Sequence, residues 1–183
     1  MGRPRGDSQT AAKLVEAAAR EFQEHGFAGT DSNRIARRAG FAPQTFYRWF
    51  TDKIENFVAV YHEWVREEFE ALEVLQARGA GDLELIDAVI AHHRAYVVFR
   101  RSLRQLTVEN DQVRKARAAS RLMQIGRILS AFPGRGAEET AILLLQYERL
   151  CDGVADGEFA DLGVSEQAVR RELLSFYERM RRA

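Results

Sequence analysis

Between Thr30 and Lys53 the chain reads TDSNRIARRAGFAPQTFYRWFTDK, and hydrogen-bond donors crowd into it. Asn33, Arg34, Arg37, Arg38, Gln44, Thr45, Tyr47, Arg48 and Lys53 supply guanidinium, ammonium, amide, hydroxyl and phenol groups, with aromatic and cationic side chains interleaved. Such cations meet phosphates and such amides pair with base edges, so the chemistry open to this set is recognition of a nucleic acid rather than bond making. Five cations (Arg34, Arg37, Arg38, Arg48, Lys53) face two anions (Asp31, Asp52), a net +3 in a chain whose 27 basic and 27 acidic residues cancel as a whole. The overall balance gives no hint of a polyanionic partner; the local one does.

Donors of this kind need a rigid frame. The remaining residues of the window provide one: Ile35, Ala39, Phe41, Phe46 and Phe50 are spaced to close a small apolar core against Leu14 and Phe22, and small Ala36 permits close helix approach. Helices are expected at about 32–39 and 44–50, separated by Gly40-Phe41-Ala42-Pro43, with Pro43 in a first turn where no N–H is needed. A helix at about 10–25, closed by Gly26, precedes them, which makes a helix-turn-helix unit over 10–53. Asp52 and Glu55 have the spacing of a capping box and open a long helix toward Arg78. Further helices are expected at 83–99, 101–109, 112–132, 137–156 and 165–182. The fold class is therefore all-α with about nine helices: a basic arm at 1–9, the three-helix unit at 10–53 and a larger helical domain at 54–183.

Composition sets the outer limits. A length of 183 residues allows one domain, or a small module joined to a larger one, and 46% hydrophobic with 30% charged residues is ordinary for a soluble globular protein. The single cysteine, Cys151, can form neither an internal disulfide nor a Cys-rich metal site, which fits a reducing cytoplasm; a small core residue is the expected role. The start lacks the apolar segment of a signal peptide, and the longest apolar run, 141–145, is far too short to span a membrane. No G-x-S-x-G, phosphate-cradling glycine loop, H-E-x-x-H or Cys/His cluster is present, so no enzyme, cofactor or metal is expected. His92 and His93 are adjacent, roughly 100° apart on a helix, the wrong geometry for joint chelation.

The segment GFAGTDSNRIARRAGFAPQTFYRWFTDKIENF resembles the N-terminal DNA-binding signature of the TetR family of transcriptional regulators, over about 10–57. Ile35-Ala36-Arg37-Arg38-Ala39-Gly40 matches the family's turn, and Thr45-Phe46-Tyr47-Arg48-Trp49-Phe50 followed by Lys53 matches its recognition helix. Three features depart from the pattern: Ser32 and Glu21 stand where apolar residues are common, and Ala42-Pro43-Gln44 replaces the frequent turn sequence. The resemblance implies phosphate contacts from Thr30, Tyr47, Arg48, Trp49 and Lys53. Gln44 and Thr45, in the first turn of the second helix, and Asn33 are the expected base readers, since Gln can pair with adenine bidentately. Arg3 and Arg5 could form a minor-groove arm.

The larger domain carries no family motif. The resemblance implies ligand binding and dimerisation there, hence a homodimer on an inverted-repeat operator in double-stranded DNA, usually repressing, and released by a small-molecule effector. The helix at 137–156 is apolar on more than one face, so Leu143, Leu150 and Val154, with Val169, Leu173 and Phe176 of the last helix, are expected at a two-fold interface. Polar groups embedded in apolar helices suggest a pocket from Trp64, His93, Tyr96, Arg100, Met123, Gln124 and Tyr147, suited to a largely apolar effector with one polar or anionic group. A dimeric DNA-binding protein without an effector is the alternative.

Overall fold

The computed structural model describes residues 5–132 and 134–181, and among them it contains ten α-helices and no strand. In chain order these are α1 (Arg5–His25), α2 (Ser32–Arg38), α3 (Pro43–Tyr47), α4 (Lys53–Ala77), α5 (Asp82–Ala95), α6 (Val97–Glu109), α7 (Asp111–Ala131), α8 (Ala137–Asp156), α9 (Glu158–Asp161) and α10 (Glu166–Arg181). Two compact units result: one runs to Val65 and takes in Val98–Ala116, while the other holds Arg66–Val97 and the chain from Arg117 onward. The first unit thus reaches beyond the span 10–53, adding the first half of α4, most of α6 and the start of α7.

In the first unit each short helix is begun and ended by a specific group. Asp31, in extended conformation, accepts the Arg34 N–H at 2.8 Å and so caps α2. After Arg38 the chain turns through Gly40 at φ +80°, a conformation that costs a side-chain-bearing residue about 1–2 kcal/mol. The Phe41 N–H then bonds back to the Ala36 carbonyl at 2.9 Å. Pro43 opens α3 in the first turn, as its missing N–H permits. At α4 the Glu55 N–H bonds to Asp52 Oδ1 at 2.8 Å, while the Glu55 carboxylate accepts from both the N–H and the hydroxyl of Thr51 at 2.6 and 2.7 Å. This is the expected reciprocal cap, with its return bond displaced by one residue.

These helices close over an apolar core. Leu14, Ala18 and Phe22 of α1, Ile35 and Ala36 of α2, Phe46 of α3, Phe57 of α4 and Phe99 and Leu103 of α6 are all fully buried. An aromatic chain runs through it, with Phe22 edge-on to Phe57 at 5.0 Å and Phe57 against Phe99 at 4.8 Å. Truncating any one of these rings would cost about 3–5 kcal/mol.

The second unit is built on α5, α8 and α10, whose Ile86, Ile90, Cys151 and Leu173 are wholly enclosed. Leu143 and Phe176 form a neighbouring cluster with Tyr147 and Tyr177. Cys151 is buried, as its apolar surroundings in the sequence suggest.

Boundaries differ from expectation in four places. The first helix, expected from about 10, begins at Arg5 and takes up the second half of the span 1–9 expected as an arm. The helix expected at 83–99 ends at Ala95 and α6 begins at Val97, because Tyr96 leaves helical geometry (φ −119°, ψ 27°) without a glycine or proline to announce it. The expected 44–50 helix stops at Tyr47, where Arg48 to Phe50 turn toward α4. The break expected around Gly157 and Gly163 contains the one-turn α9, which raises the count to ten among the described residues.

Asn56 is fully buried in α4, and neither atom of its amide meets a hydrogen-bonding partner among the described residues. Burying an unsatisfied amide costs about 1–3 kcal/mol. Asn56→Leu, close in volume and free of that cost, is expected to raise the melting temperature by a few degrees in a thermal denaturation scan; a lowered one would show that the amide is satisfied in solution.

Candidate nucleic-acid interface

The residues expected to read bases surround a helix that packs by one side only. In α3, Phe46 is fully buried, whereas Gln44 is exposed and Tyr47 retains 58% of its surface. Thr45 is half-buried, and Asn33 of α2 is exposed. Arg37 and Arg48 are likewise exposed, and Trp49 is half-buried. The structure therefore gives Gln44, Tyr47, Asn33 and the two arginines to solvent and keeps Ile35, Ala36, Phe46 and Phe50 inside.

Tyr47 is held in place at both ends. Its ring meets Phe46 edge-on at 5.4 Å, and its hydroxyl lies 2.7 Å from the Ser32 hydroxyl at the start of α2. Either oxygen can supply the proton, and when Ser32 does, the phenol proton is directed outward, the polarity a phosphate acceptor needs. Ser32, which in sequence looks only like a missing apolar residue, is thus the group that orients the tyrosine.

Two of the expected phosphate contacts have internal duties. Lys53 donates to the Phe27 and Thr30 carbonyls at 2.7 and 2.8 Å and sits 4.0 Å above the Phe27 ring, leaving one ammonium proton uncommitted by these two bonds. Burial lowers the pKa of this ammonium. Lys53 therefore ties the turn before α2 to the start of α4. Thr30 is buried, and its hydroxyl donates to Glu21 Oε2 at 2.7 Å. The same carboxylate receives Arg38 Nη1 at 2.9 Å and lies 3.3 Å from Arg34 Nε. Arg38 also donates to both oxygens of Glu24, at 2.6 and 2.7 Å, and this hydrogen bond is the main reason the Glu24 carboxyl titrates below its ordinary range. The sequence signal for this network was Glu21 itself, an acid on the inner face of the first helix.

Glu21, Glu24 and His25 come close enough to form a possible cation site, but both carboxylates are already turned to arginines. Of the expected arm, Arg3 lies outside the described residues and Arg5 is the first residue of α1.

The residues expected to line an effector pocket are divided between the two units. In the first, the Arg100 guanidinium, buried, lies 4.5 Å above the Trp64 indole. In the second, buried His93 has Nδ1 2.9 Å from Asp152 Oδ1 and Nε2 3.5 Å from Glu68 Oε1. Tyr96 donates to Glu67 at 2.8 Å. Tyr147 packs against Phe176 and Tyr177 at 5.2 and 5.9 Å, and burial holds its phenol pKa well above the ordinary value. Gln124 is buried while Met123 is 59% exposed.

The side chains expected at a subunit interface require a correction. Leu143, Val154, Val169, Leu173 and Phe176 are buried within this chain's own second unit, and Leu150 is packed against the same core. A helix apolar on two faces does not reveal from its sequence which face turns inward. On α8 the large apolar residues left to solvent are Ile142 and Leu145, 58% and 45% exposed.

Among the described residues no helix is long and apolar enough to cross a membrane. Residues 14–60 match the family model of bacterial regulatory proteins, tetR family. No curated protein matches the chain. The fold recurs in solved structures: a protein assigned to the TetR-family transcriptional regulators from Rhodococcus sp. superposes with a TM-score of 0.71 at 17% identity, covering 94% of this chain and 98% of its own. A transcriptional regulator from Saccharomonospora viridis, solved in complex with choline, gives 0.66 at 18% identity over 93% and 96% of the two chains. The multidrug binding protein EbrR, complexed with imidazole, gives 0.66 at 18% identity over 91% and 93%. The match at 14–60 falls on the helices that display Asn33, Gln44 and Tyr47, and the two comparisons together establish that this segment is similar to the bacterial regulatory proteins of the tetR family and that the chain has the fold of solved structures assigned to TetR-family transcriptional regulators.

Proposed function

We propose that the protein is a cytoplasmic repressor that binds an inverted-repeat operator as a homodimer and is released by a small, largely apolar effector, acting by binding alone. The observation that carries this reading is the outward display of Gln44, Tyr47, Asn33, Arg37 and Arg48 from helices locked behind by Phe46, Ile35 and Phe22. In this reading Gln44, Thr45 and Asn33 reach base edges, while Tyr47, Arg48, Trp49 and the remaining Lys53 proton meet phosphates.

Ile142 and Leu145, exposed on α8 beside polar neighbours, supply apolar surface for a second copy, and a two-fold dimer reads two half-sites. The relatives solved with choline and with imidazole support control by a small molecule. An effector that favours a DNA-incompetent state by a coupling energy of about 1–3 kcal/mol suffices for release. A regulator without an effector is the second reading, favoured by the bonding of His93 and Tyr96 to the chain's own carboxylates.

Selection of the purified protein on a randomised duplex library is expected to enrich an inverted repeat. Gln44→Ala then relaxes the preference at one base position, at a cost of about 1–3 kcal/mol on the preferred sequence. Tyr47→Phe weakens all sequences alike, and Ser32→Ala reproduces part of that loss by releasing the phenol. Enrichment of no sequence would sink the specific-repressor reading.

For the dimer, Ile142→Glu combined with Leu145→Glu is expected to give a folded monomer in sedimentation velocity that has lost operator binding. A dimer that survives both substitutions would place the interface elsewhere.

A further inference from the structure

Glu21 lies on α1, on the inner side of the DNA-binding unit, and is 5% exposed. It draws on three donors that a phosphate could otherwise attract: the Thr30 hydroxyl at 2.7 Å, Arg38 Nη1 at 2.9 Å and Arg34 Nε at 3.3 Å. Its geometry is that of an anion resident inside the protein, with one oxygen on Arg38 and the other shared by Thr30 and Arg34. Glu24 completes the arrangement by holding the second Arg38 nitrogen. Arg34 is further restrained by donation to the Gly29 carbonyl at 3.3 Å.

We infer that Glu21 is a positioning residue for DNA recognition: by occupying Thr30, Arg34 and Arg38 it limits the cations that the interface offers to the phosphate backbone and leaves discrimination to the residues around α3. The inference rests on the DNA-binding reading of the preceding section. Its physical basis is direct. Two of the five cations in the window 30–53 face a nearby carboxylate, so the local excess of positive charge is largely answered before DNA arrives. A protein that neutralises fewer phosphates binds any duplex less tightly and with a shallower dependence on salt, while contacts to base edges keep their full value. Burial strengthens the effect, since a carboxylate shielded from water holds its arginines against competing ions more firmly than an exposed one.

The test compares the unaltered full-length protein with Glu21→Gln and with the double variant Glu21→Gln, Glu24→Gln, measuring affinity for a mixed-sequence DNA duplex over a range of salt concentrations. Glutamine keeps an acceptor for Thr30 and the shape of the side chain, so the fold is retained; circular dichroism and thermal melting verify this. The slope of log affinity against log salt is expected to steepen by about 0.9 for the single variant and about twice that for the double one, one step per freed cation. Adding Arg38→Gln to the double variant should reverse part of the change. A purely structural Glu21 would lower the melting temperature and leave the slope alone, and an unchanged slope in the folded variants overturns the inference while the DNA reading stands. If the unaltered protein binds no duplex even at low salt, the DNA reading falls and the inference with it.

Discussion

A five-residue helix has no stability of its own. Helices shorter than about 12–15 residues are marginal in water, so the position of α3 is set entirely by what it is packed against. Phe46 and Phe50 are the anchors, and they work only because α1 and α2 already meet around Phe22, Ile35 and Ala36. The aromatic contacts from Phe22 through Phe57 to Phe99 extend this support to α4 and α6, which is why the compact unit is larger than the three helices that display the donors. Rigidity in α3 is borrowed from residues up to Phe99, far along the chain.

That dependence explains what could be read from the amino-acid sequence. The helix-turn-helix was legible because its constraints are local: Gly40 for a left-handed turn, Pro43 for a first turn, and the spacing of Ile35, Phe46 and Phe50 for a common core. The all-helical class followed from periodicity in the same way. The break at Tyr96 was not legible, since no residue there forbids a continued helix and only tertiary packing decides the matter. The inner duties of Lys53 and Thr30 were also hidden, because a lysine bonding two carbonyls and a lysine awaiting a phosphate look identical in sequence.

In the second unit the ambiguity was of another kind. The apolar residues of α8 and α10 are expected from sequence at a two-fold interface, whereas Leu143, Val154 and Leu173 serve the chain's own core. The polar residues proved to be engaged as well: His93 with Asp152 and Glu68, Tyr96 with Glu67, and Arg117 and Arg121 with Glu148. Buried polar networks of this sort specify one arrangement, because each member left without its partner carries a desolvation cost. The unit is therefore organised by polar pairing as much as by apolar contact.

Cys151 gives the second unit a built-in chemical clock. It is the one thiol in the chain, and it lies fully enclosed between α5, α8 and α10. A thiol reagent reaches it only when that core opens, so the rate of modification under native conditions reports the frequency of that opening. Dyes or spin labels placed on cysteines introduced at the surface would react first, against a silent background. The burial of one small side chain thus turns the whole core into its own timekeeper.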